Sequence, residues 1–200
     1  MRYGARALLA IAGAACFVVG ASPASASSAA STAAVETAAA TLGPNQFVWG
    51  DEDDGAPVRI VVNIGEQRLY VYRGETLVAA TAVSTGKDGN ETPSGSFTIL
   101  QKEVDHRSNL YDDASMPFME RLTWDGVAIH AGRNPGFPAS HGCIRVPTAF
   151  AKKLYAITTV GTEVTVIGAD GLVAPTPPTV DDSADETAAA NRAAQETAAK

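Results

Sequence analysis

Apolar side chains recur at every second position along residues 58–83, and this pattern constrains the fold more than any other feature of the sequence. Runs of this kind cover residues 58–64, 68–73 and 77–83, and a glycine lies in each of the two gaps between them. A period of two indicates strands with one buried face. Strands this closely spaced are typical of antiparallel hairpins. The sequence therefore predicts a mainly β fold.

The remainder of the central region continues this pattern and adds one helix. Further strands are predicted at residues 96–104, 124–130 and 163–167, with a polar loop at 105–115. A short helix is predicted after Pro147, because Phe150, Leu154 and Ile157 share one face at helical spacing. We expect a compact, mostly β domain with one packed helix.

The first 26 residues have the composition of a secretory signal peptide. Arg2 and Arg6 precede an uncharged apolar run, and Ala24-Ser25-Ala26 follows Pro23 as a cleavage site. A membrane anchor is the alternative, but the run is short of the roughly 20 residues that a bilayer requires. Cys16 leaves lipidation as a second alternative. The pattern favours an exported protein located in the cell envelope, the periplasm or outside the cell.

Two segments flank the central domain, which we place at residues 57–168. Residues 27–56 are rich in Ala, Ser and Thr and then acidic, and residues 169–200 are rich in Pro, Ala and Glu. Neither supplies many large apolar side chains, so we predict a linker and a disordered tail that can be removed without unfolding the domain. The formal net charge of −7 comes from these flanks, and no basic cluster suggests nucleic-acid binding.

Removal of the signal peptide would leave one cysteine, Cys143, near two histidines. An ordinary thiol has a pKa of about 8.5, so a neighbouring imidazole is needed to produce the nucleophilic thiolate at neutral pH. His130 at a strand end and His141 beside Gly142 are the candidates. Three other interpretations stay open on spacing alone: a buried structural cysteine, a core histidine, and a zinc site.

The residues around this cysteine resemble the signature of the L,D-transpeptidase catalytic domain, also called YkuD. The motif is Ile129-His130-Ala131-Gly132 followed by Ser140-His141-Gly142-Cys143-Ile144-Arg145. Other family-like segments occur in the same order: IVVNIGEQRLYVY at 60–72, VSTG at 83–86, TPSGSF at 92–97 and MPF at 116–118. The resemblance extends over residues 57–168.

This resemblance implies a β-sandwich-like fold and a role for each motif residue. Cys143 would be the nucleophile, and His130 would donate and accept the proton. His141 and Gly142 would shape the site, with backbone N–H groups near Cys143 serving the oxyanion. Ser140 and Arg145 would support the loop or the substrate.

The chain departs from the family pattern in two ways. The loop between His130 and Ser140 is shorter than in many relatives, so any lid over the site is small. Ala131 stands where the family often has Gly or Ser after the histidine, and a backbone carbonyl could orient the imidazole instead. His106 matches no motif position, and we expect it to be a solvated loop residue.

The resemblance also implies a reaction and its partners. The thiolate would attack the third residue of a peptidoglycan tetrapeptide stem, release D-Ala and transfer the acyl group to an amine, forming a 3→3 cross-link. We expect acylation by carbapenem-type β-lactams, a monomer, and no metal or organic cofactor. Two alternatives remain: an L,D-carboxypeptidase that uses water as acceptor, and a catalytically idle wall-binding module.

Overall fold

The computed structural model describes residues 23–50, 55–108 and 114–174, with side chains from residue 30 onwards. Two helices are present in this part of the chain, α1 (Pro23–Ala40) and α2 (Thr148–Ile157). The strands are β1 (Phe47–Trp49), β2 (Val58–Asn63), β3 (Arg68–Arg73), β4 (Thr76–Ala82), β5 (Gly95–Thr98), β6 (Gln101–Arg107), β7 (Ser115–Arg121), β8 (Ala128–Ala131), β9 (Ile144–Val146) and β10 (Glu163–Ile167).

The strands form two sheets that share one core with α2. The larger sheet has the order β1-β4-β3-β2-β10-β5, and the smaller has the order β6-β7-β8-β9. Leu69 and Val71 from the larger sheet, Ile129 and Ile144 from the smaller sheet, and Phe150 from α2 belong to one buried cluster. The mainly β fold with a short packed helix is therefore confirmed, including the antiparallel pairing of β2, β3 and β4.

One predicted strand is two strands in different sheets. The run at 96–104 breaks after Thr98: the Ile99 amide donates to the Thr162 carbonyl and the Leu100 amide to the Arg121 carbonyl. Ile99 is fully buried, so the chain crosses between the sheets through the core. Uninterrupted strand character in the sequence cannot reveal this crossing, because both halves remain extended.

The loop predicted at 105–115 is strand at both of its described ends. β6 continues to Arg107 and β7 begins at Ser115, and the two strands pair in antiparallel register. Most β6 side chains are exposed, so this hairpin does not carry the apolar alternation that identified the other strands.

The segment predicted as a linker contains α1 and β1. Val35 and Ala39 of α1 are buried against Leu77 and Ala80. β1 pairs with β4. The prediction failed because it counted large apolar side chains, whereas small side chains allow α1 to lie close to β4.

Several predictions fall outside the described residues. These are the n-region and apolar run of the signal peptide with Cys16, the acidic residues 51–54, and the tail from residue 175 onwards. Neither described helix is long and apolar enough to cross a membrane.

Candidate active site

The predicted motif occupies two adjacent parallel strands of the smaller sheet. His130 in β8 is paired in register with Arg145 in β9, one position after the Ile129–Ile144 pair. Ile129 and Ile144 point into the shared core. Because side chains alternate along a strand, His130 and Arg145 lie on the opposite face. Cys143 immediately precedes β9 and packs near Ala128 on that side of the sheet.

A pocket of about 300 Å³ opens on this face. Its lining contains His106, Ser108, Ala114, Ser115, Met116, Arg121, Gly126, His130, Gly132, Arg133, Ser140, His141, Cys143 and Arg145. The structure thus brings together five of the six predicted site residues, while Gly142 lies buried behind the lining.

The His130 ring is held in one tautomer by the backbone. Its Nδ1 lies 2.8 Å from the Ala131 carbonyl oxygen. A carbonyl only accepts, so Nδ1 carries the proton and Nε2 keeps a lone pair in the neutral ring. The prediction that a backbone carbonyl orients this imidazole is confirmed. Burial lowers the pKa of His130 to about 4, and the Arg145 charge acts in the same direction.

Burial favours the uncharged form of the Cys143 thiol. Its Sγ donates to the Gly126 carbonyl at 3.3 Å. Burial raises the pKa of Cys143, although the Ala128 backbone contact and the Arg145 and Arg121 charges oppose this effect. Burial of both groups therefore favours a neutral thiol and a neutral imidazole over a preformed thiolate–imidazolium pair.

Hydrogen bonds close the turn that carries Cys143. The Ser140 hydroxyl donates to the Cys143 carbonyl at 2.5 Å, and the Gly142 amide donates to the Ser140 hydroxyl at 3.1 Å. Gly142 has a φ of +108°, which favours glycine. Because the Gly142 amide already has an acceptor, the resting structure uses this residue to shape the turn. Ser140 supports the same turn.

The family-like segments at 83–86 and 92–97 hold this turn in place through hydrogen bonds. Ser84 exchanges two backbone hydrogen bonds with Arg145. The Thr85 carbonyl accepts from the Ser140 amide at 3.0 Å, and the Thr92 hydroxyl donates to the Gly142 carbonyl at 2.8 Å. A side chain on Gly86 would place Cβ 2.0 Å from the Asn90 carbonyl oxygen, so glycine is required there. These segments fix the position of Cys143 without entering the pocket.

The two motif histidines differ in burial. His130 is 6% exposed, whereas His141 is exposed at the rim of the pocket. A buried ring with a fixed tautomer suits a proton carrier better than an exposed ring. The difference in burial therefore distinguishes His130 from His141 as the candidate base, which sequence spacing alone does not.

His106 and Arg121 are two of the pocket residues that sequence reasoning missed. His106 lies on β6 with its side chain 16% exposed, and its Nδ1 is 2.8 Å from Glu103 Oε2. The prediction of a solvated loop residue is therefore wrong. Arg121 on β7 also lines the pocket. Neither position belongs to a motif, and both reach the site only because the β6–β7 hairpin pairs beside β8.

The described residues contain no group of three His, Cys, Asp or Glu side chains placed to hold a metal ion. Cys143 is the free cysteine of the described chain.

Comparison with known proteins defines the class of this fold and site. The model of the L,D-transpeptidase catalytic domain, YkuD, matches residues 57–166. This match covers more than half of the chain, which therefore belongs to the L,D-transpeptidase catalytic domain family.

Individual relatives agree with this assignment. The chain is 29% identical over 119 residues to the "Putative L,D-transpeptidase YkuD" of Bacillus licheniformis, covering 56% of this chain and 67% of that protein. A solved L,D-transpeptidase of Stackebrandtia nassauensis matches with a TM-score of 0.52 and 26% identity over 58% of each chain. The L,D-transpeptidase LdtMt1 in complex with imipenem matches with a TM-score of 0.51 and 25% identity, over 55% of this chain and 58% of that one. The chain thus spans little more than half of these solved relatives.

Proposed function

We propose that the chain is an exported peptidoglycan L,D-transpeptidase that acts through an acyl-enzyme on Cys143. The observation that carries the proposal is the placement of Cys143 and His130 on one face of adjacent parallel strands, lining one pocket. His130 offers a proton-accepting Nε2 because Nδ1 is held by the Ala131 carbonyl. Membership of the catalytic-domain family supports the same chemistry.

Acylation begins from the neutral pair. Sγ attacks the carbonyl carbon of the third residue of the donor stem, and the thiol proton passes to Nε2 of His130. The tetrahedral intermediate then collapses as the bond to the terminal D-Ala nitrogen breaks. The imidazolium returns its proton to that nitrogen, so D-Ala leaves as a neutral amine and a thioester remains on Cys143.

Deacylation repeats these steps with a new nucleophile. The side-chain amine of a neighbouring stem attacks the thioester carbonyl while neutral His130 accepts one of its protons. The C–S bond breaks, Sγ regains the proton from His130, and a 3→3 amide cross-link forms. The low pKa of His130 keeps the ring neutral before each attack at neutral pH and favours return of the proton from the imidazolium to the leaving group.

Two further observations support the proposed export of the protein and its proposed acylation by carbapenems. The signal-like sequence at 1–26 suits a substrate outside the membrane. The imipenem complex of a relative supports acylation of Cys143 by carbapenems.

Mass spectrometry of products tests the proposal. The purified residue 27–200 protein is incubated with a tetrapeptide stem donor and a diamino acceptor stem. We expect equimolar D-Ala and cross-linked dimer, a transient mass increase on Cys143, and no product from Cys143→Ala. Release of D-Ala with hydrolysed tripeptide alone would instead identify a carboxypeptidase. Absence of any product and of any carbapenem adduct would favour the idle wall-binding module.

A further inference from the structure

The described lining of the active-site pocket is basic. It contains Arg121, Arg133 and Arg145 together with three histidines, and it contains no carboxylate side chain. The whole chain has a formal net charge of −7, so the pocket lining carries an excess of basic side chains although the chain as a whole is acidic. A pocket with such walls favours an anionic ligand group over a neutral or cationic group.

Side chains hold the guanidinium of Arg121 in place. Its Nε donates to Gln101 Oε1 at 2.8 Å, and Nη2 lies 3.4 Å from Nε2 of His106. The Trp124 ring lies on a further side, with its centroid 5.8 Å away. A guanidinium held in this way loses little freedom when it binds a ligand.

His106 orients Arg121 through a defined hydrogen-bond direction. A guanidinium only donates, so Nε2 of His106 is the acceptor in their contact and Nδ1 carries the ring proton. Nδ1–H then donates to Glu103 at 2.8 Å. These two contacts engage two of the five guanidinium N–H groups. With respect to the described residues, the other donors are available for a planar acceptor such as a carboxylate.

The Arg121 charge also reaches the reacting sulfur. Together with the Arg145 charge, it lowers the pKa of Cys143. Arg121 belongs to the same pocket lining as Cys143, and Arg133 is exposed in the loop after β8.

We propose that Arg121 binds the free C-terminal carboxylate of the donor peptide and so positions the bond that Cys143 attacks. The proposal rests on the proposed function, in which a single terminal residue leaves. Standard bond lengths place the carboxylate carbon of that residue within about 4 Å of the attacked carbonyl carbon. An arginine that lines the same pocket of about 300 Å³ as Cys143 is suited to reach it.

The test compares two donors that differ only at this group: a tetrapeptide stem with a free C-terminus and the same peptide as a C-terminal amide. The wild-type protein should process the free acid with a kcat/KM at least about 30-fold above that of the amide. Arg121→Gln should lose about that factor on the free acid and little on the amide. Arg121→Lys should fall between them, because it keeps the charge and loses the planar fork.

Matched variants separate carboxylate binding from a general loss of charge or fold. Arg107→Gln removes an exposed arginine from β6 outside the pocket lining, and it should leave the ratio between the donors unchanged. Alkylation of Cys143 by uncharged iodoacetamide should slow in Arg121→Gln far less than the free-acid reaction does, because only the effect of the Arg121 charge on the Cys143 pKa is lost and this reagent needs no carboxylate site. Equal losses on both donors in Arg121→Gln and Arg121→Lys, or an equal change of ratio in Arg133→Gln, would overturn the proposal.

A binding measurement separates this proposal from the proposed function. Calorimetry with Cys143→Ala protein should give tighter binding of the free acid than of the amide, and adding Arg121→Gln should remove the difference. If the wild-type protein turns over neither donor but this difference persists, the carboxylate site stands and the transferase function fails. If turnover occurs and the difference is absent in both assays, the carboxylate site is wrong.

Discussion

The β8–β9 motif forms the active-site pocket, whereas the segment before residue 50 contacts a loop beside the pocket. The motif supplies the reactive side chains Cys143 and His130. The N-terminal segment, here residues 30–50, lies outside the part matched to the family and supplies packing and backbone contacts. A low-complexity segment can therefore belong to the folded structure when its contacts use small side chains and main-chain groups.

The N-terminal segment is fixed at several points along its length. Arg68 donates to the Ala39 carbonyl at 3.2 Å and to the Leu42 carbonyl at 2.6 Å, just after α1. Phe47 and Trp49 pack edge-on against the Phe150 ring, with centroid distances of 5.6 and 5.3 Å. This segment therefore belongs to the folded domain.

The segment also reaches the loop between His130 and Ser140. Asn45 Nδ2 donates to the Asn134 carbonyl at 2.8 Å, and the Asn134 amide donates to Asn45 Oδ1 at 3.0 Å. Asn134 is 2% exposed. This reciprocal pair connects the N-terminal segment to the loop that supplies Gly132 and Arg133 to the pocket.

The largest effects should come from the motif. Cys143→Ala should abolish the thioester and the product. His130→Ala should lower the acylation rate by at least about 10³-fold, and the double variant should lose little more, because the two residues act as one unit. His141→Ala should be milder, since its ring is exposed at the rim. The measurement is the rate of Cys143 acylation by a carbapenem across pH.

This experiment also tests the assignment of the base. An inactive His141→Ala variant beside a His130→Ala variant with wild-type rate and pH profile would exchange the roles of the two histidines. The motif region would then still contain the chemistry, and the burial argument would be wrong.

Removing the N-terminal segment should have the next largest effect. Deletion of residues 1–50 uncovers Leu77 and Ala80 on β4 and removes two rings from Phe150. We expect a loss of about 3–5 kcal/mol in the free energy of unfolding. Deletion of residues 1–26 is the matched control and should cost little. Equal urea midpoints for the two truncations would restore the interpretation of this segment as a linker.

Sequence reasoning recovered the parts of the fold whose signals are local. The hairpins of β2, β3 and β4 follow from the period of two, and β10 follows from Glu163–Ile167. β1 is too short to show a period, and α1 has hardly any apolar side chains larger than Ala. The position of these elements depends on complementary surfaces on β4, which no local pattern describes.

The residues of the site also divide into those that a local sequence signal identifies and those that only the tertiary fold places there. Cys143 and His130 were identified because a specific string of residues surrounds them. Arg121 and His106 reach the pocket through the pairing of β6 with β7, and the sequence interpretation had no β7. Asn45 acts across 89 positions of the chain. Contacts at such separations depend on the tertiary fold.

A further contrast concerns two buried titratable groups, one inside the motif and one outside it. Glu120 on β7 is 1% exposed. Burial raises its pKa to about 7, although the Thr158 hydroxyl and the Lys102 charge oppose this effect. The Thr158 hydroxyl contacts both Glu120 and the Leu154 carbonyl. Since it has one proton to donate, a protonated Glu120 satisfies both contacts.

These two groups should give opposite slopes of stability against pH. His130 has a pKa of about 4 when folded and 6.5 ordinarily, so only the unfolded chain gains the proton between these values. Its contribution is therefore lost as pH falls from 6.5 to 4. Glu120 has a pKa of about 7 when folded and 4.5 ordinarily. Its contribution is lost as pH rises from 4.5 to 7.

We therefore expect the free energy of unfolding to be nearly constant between pH 4.5 and 6.5 in the wild-type protein. Glu120→Gln should reveal the His130 slope, with stability rising by about 3 kcal/mol from pH 4 to 6.5. His130→Asn should reveal the reverse slope from Glu120. Urea midpoints at fixed ionic strength measure both. Variant profiles parallel to the wild-type profile would contradict the titration of these groups in this range.

The smallest effect should come from the contact between the two compared regions. Asn45 has a φ of +60°, a conformation that glycine adopts without strain. Asn45→Gly therefore removes the side-chain pair with Asn134 and keeps the backbone. We expect a loss of about 1 kcal/mol in stability and about tenfold in the acylation rate of Cys143, because the loop carrying Gly132 loses its anchor.

Two variants make the Asn45 prediction specific to the loop. Asn45→Asp keeps the acceptor for the Asn134 amide and loses the donor to the Asn134 carbonyl, so its effect should be intermediate. Gln46→Ala removes a contact within the segment itself, from the Gly43 amide to Gln46 Oε1, and should cost stability without slowing acylation. If Gln46→Ala and Asn45→Gly slow acylation equally, the segment acts through general stability. If Asn45→Gly alone slows it, the segment outside the family domain is part of the apparatus that positions the active site.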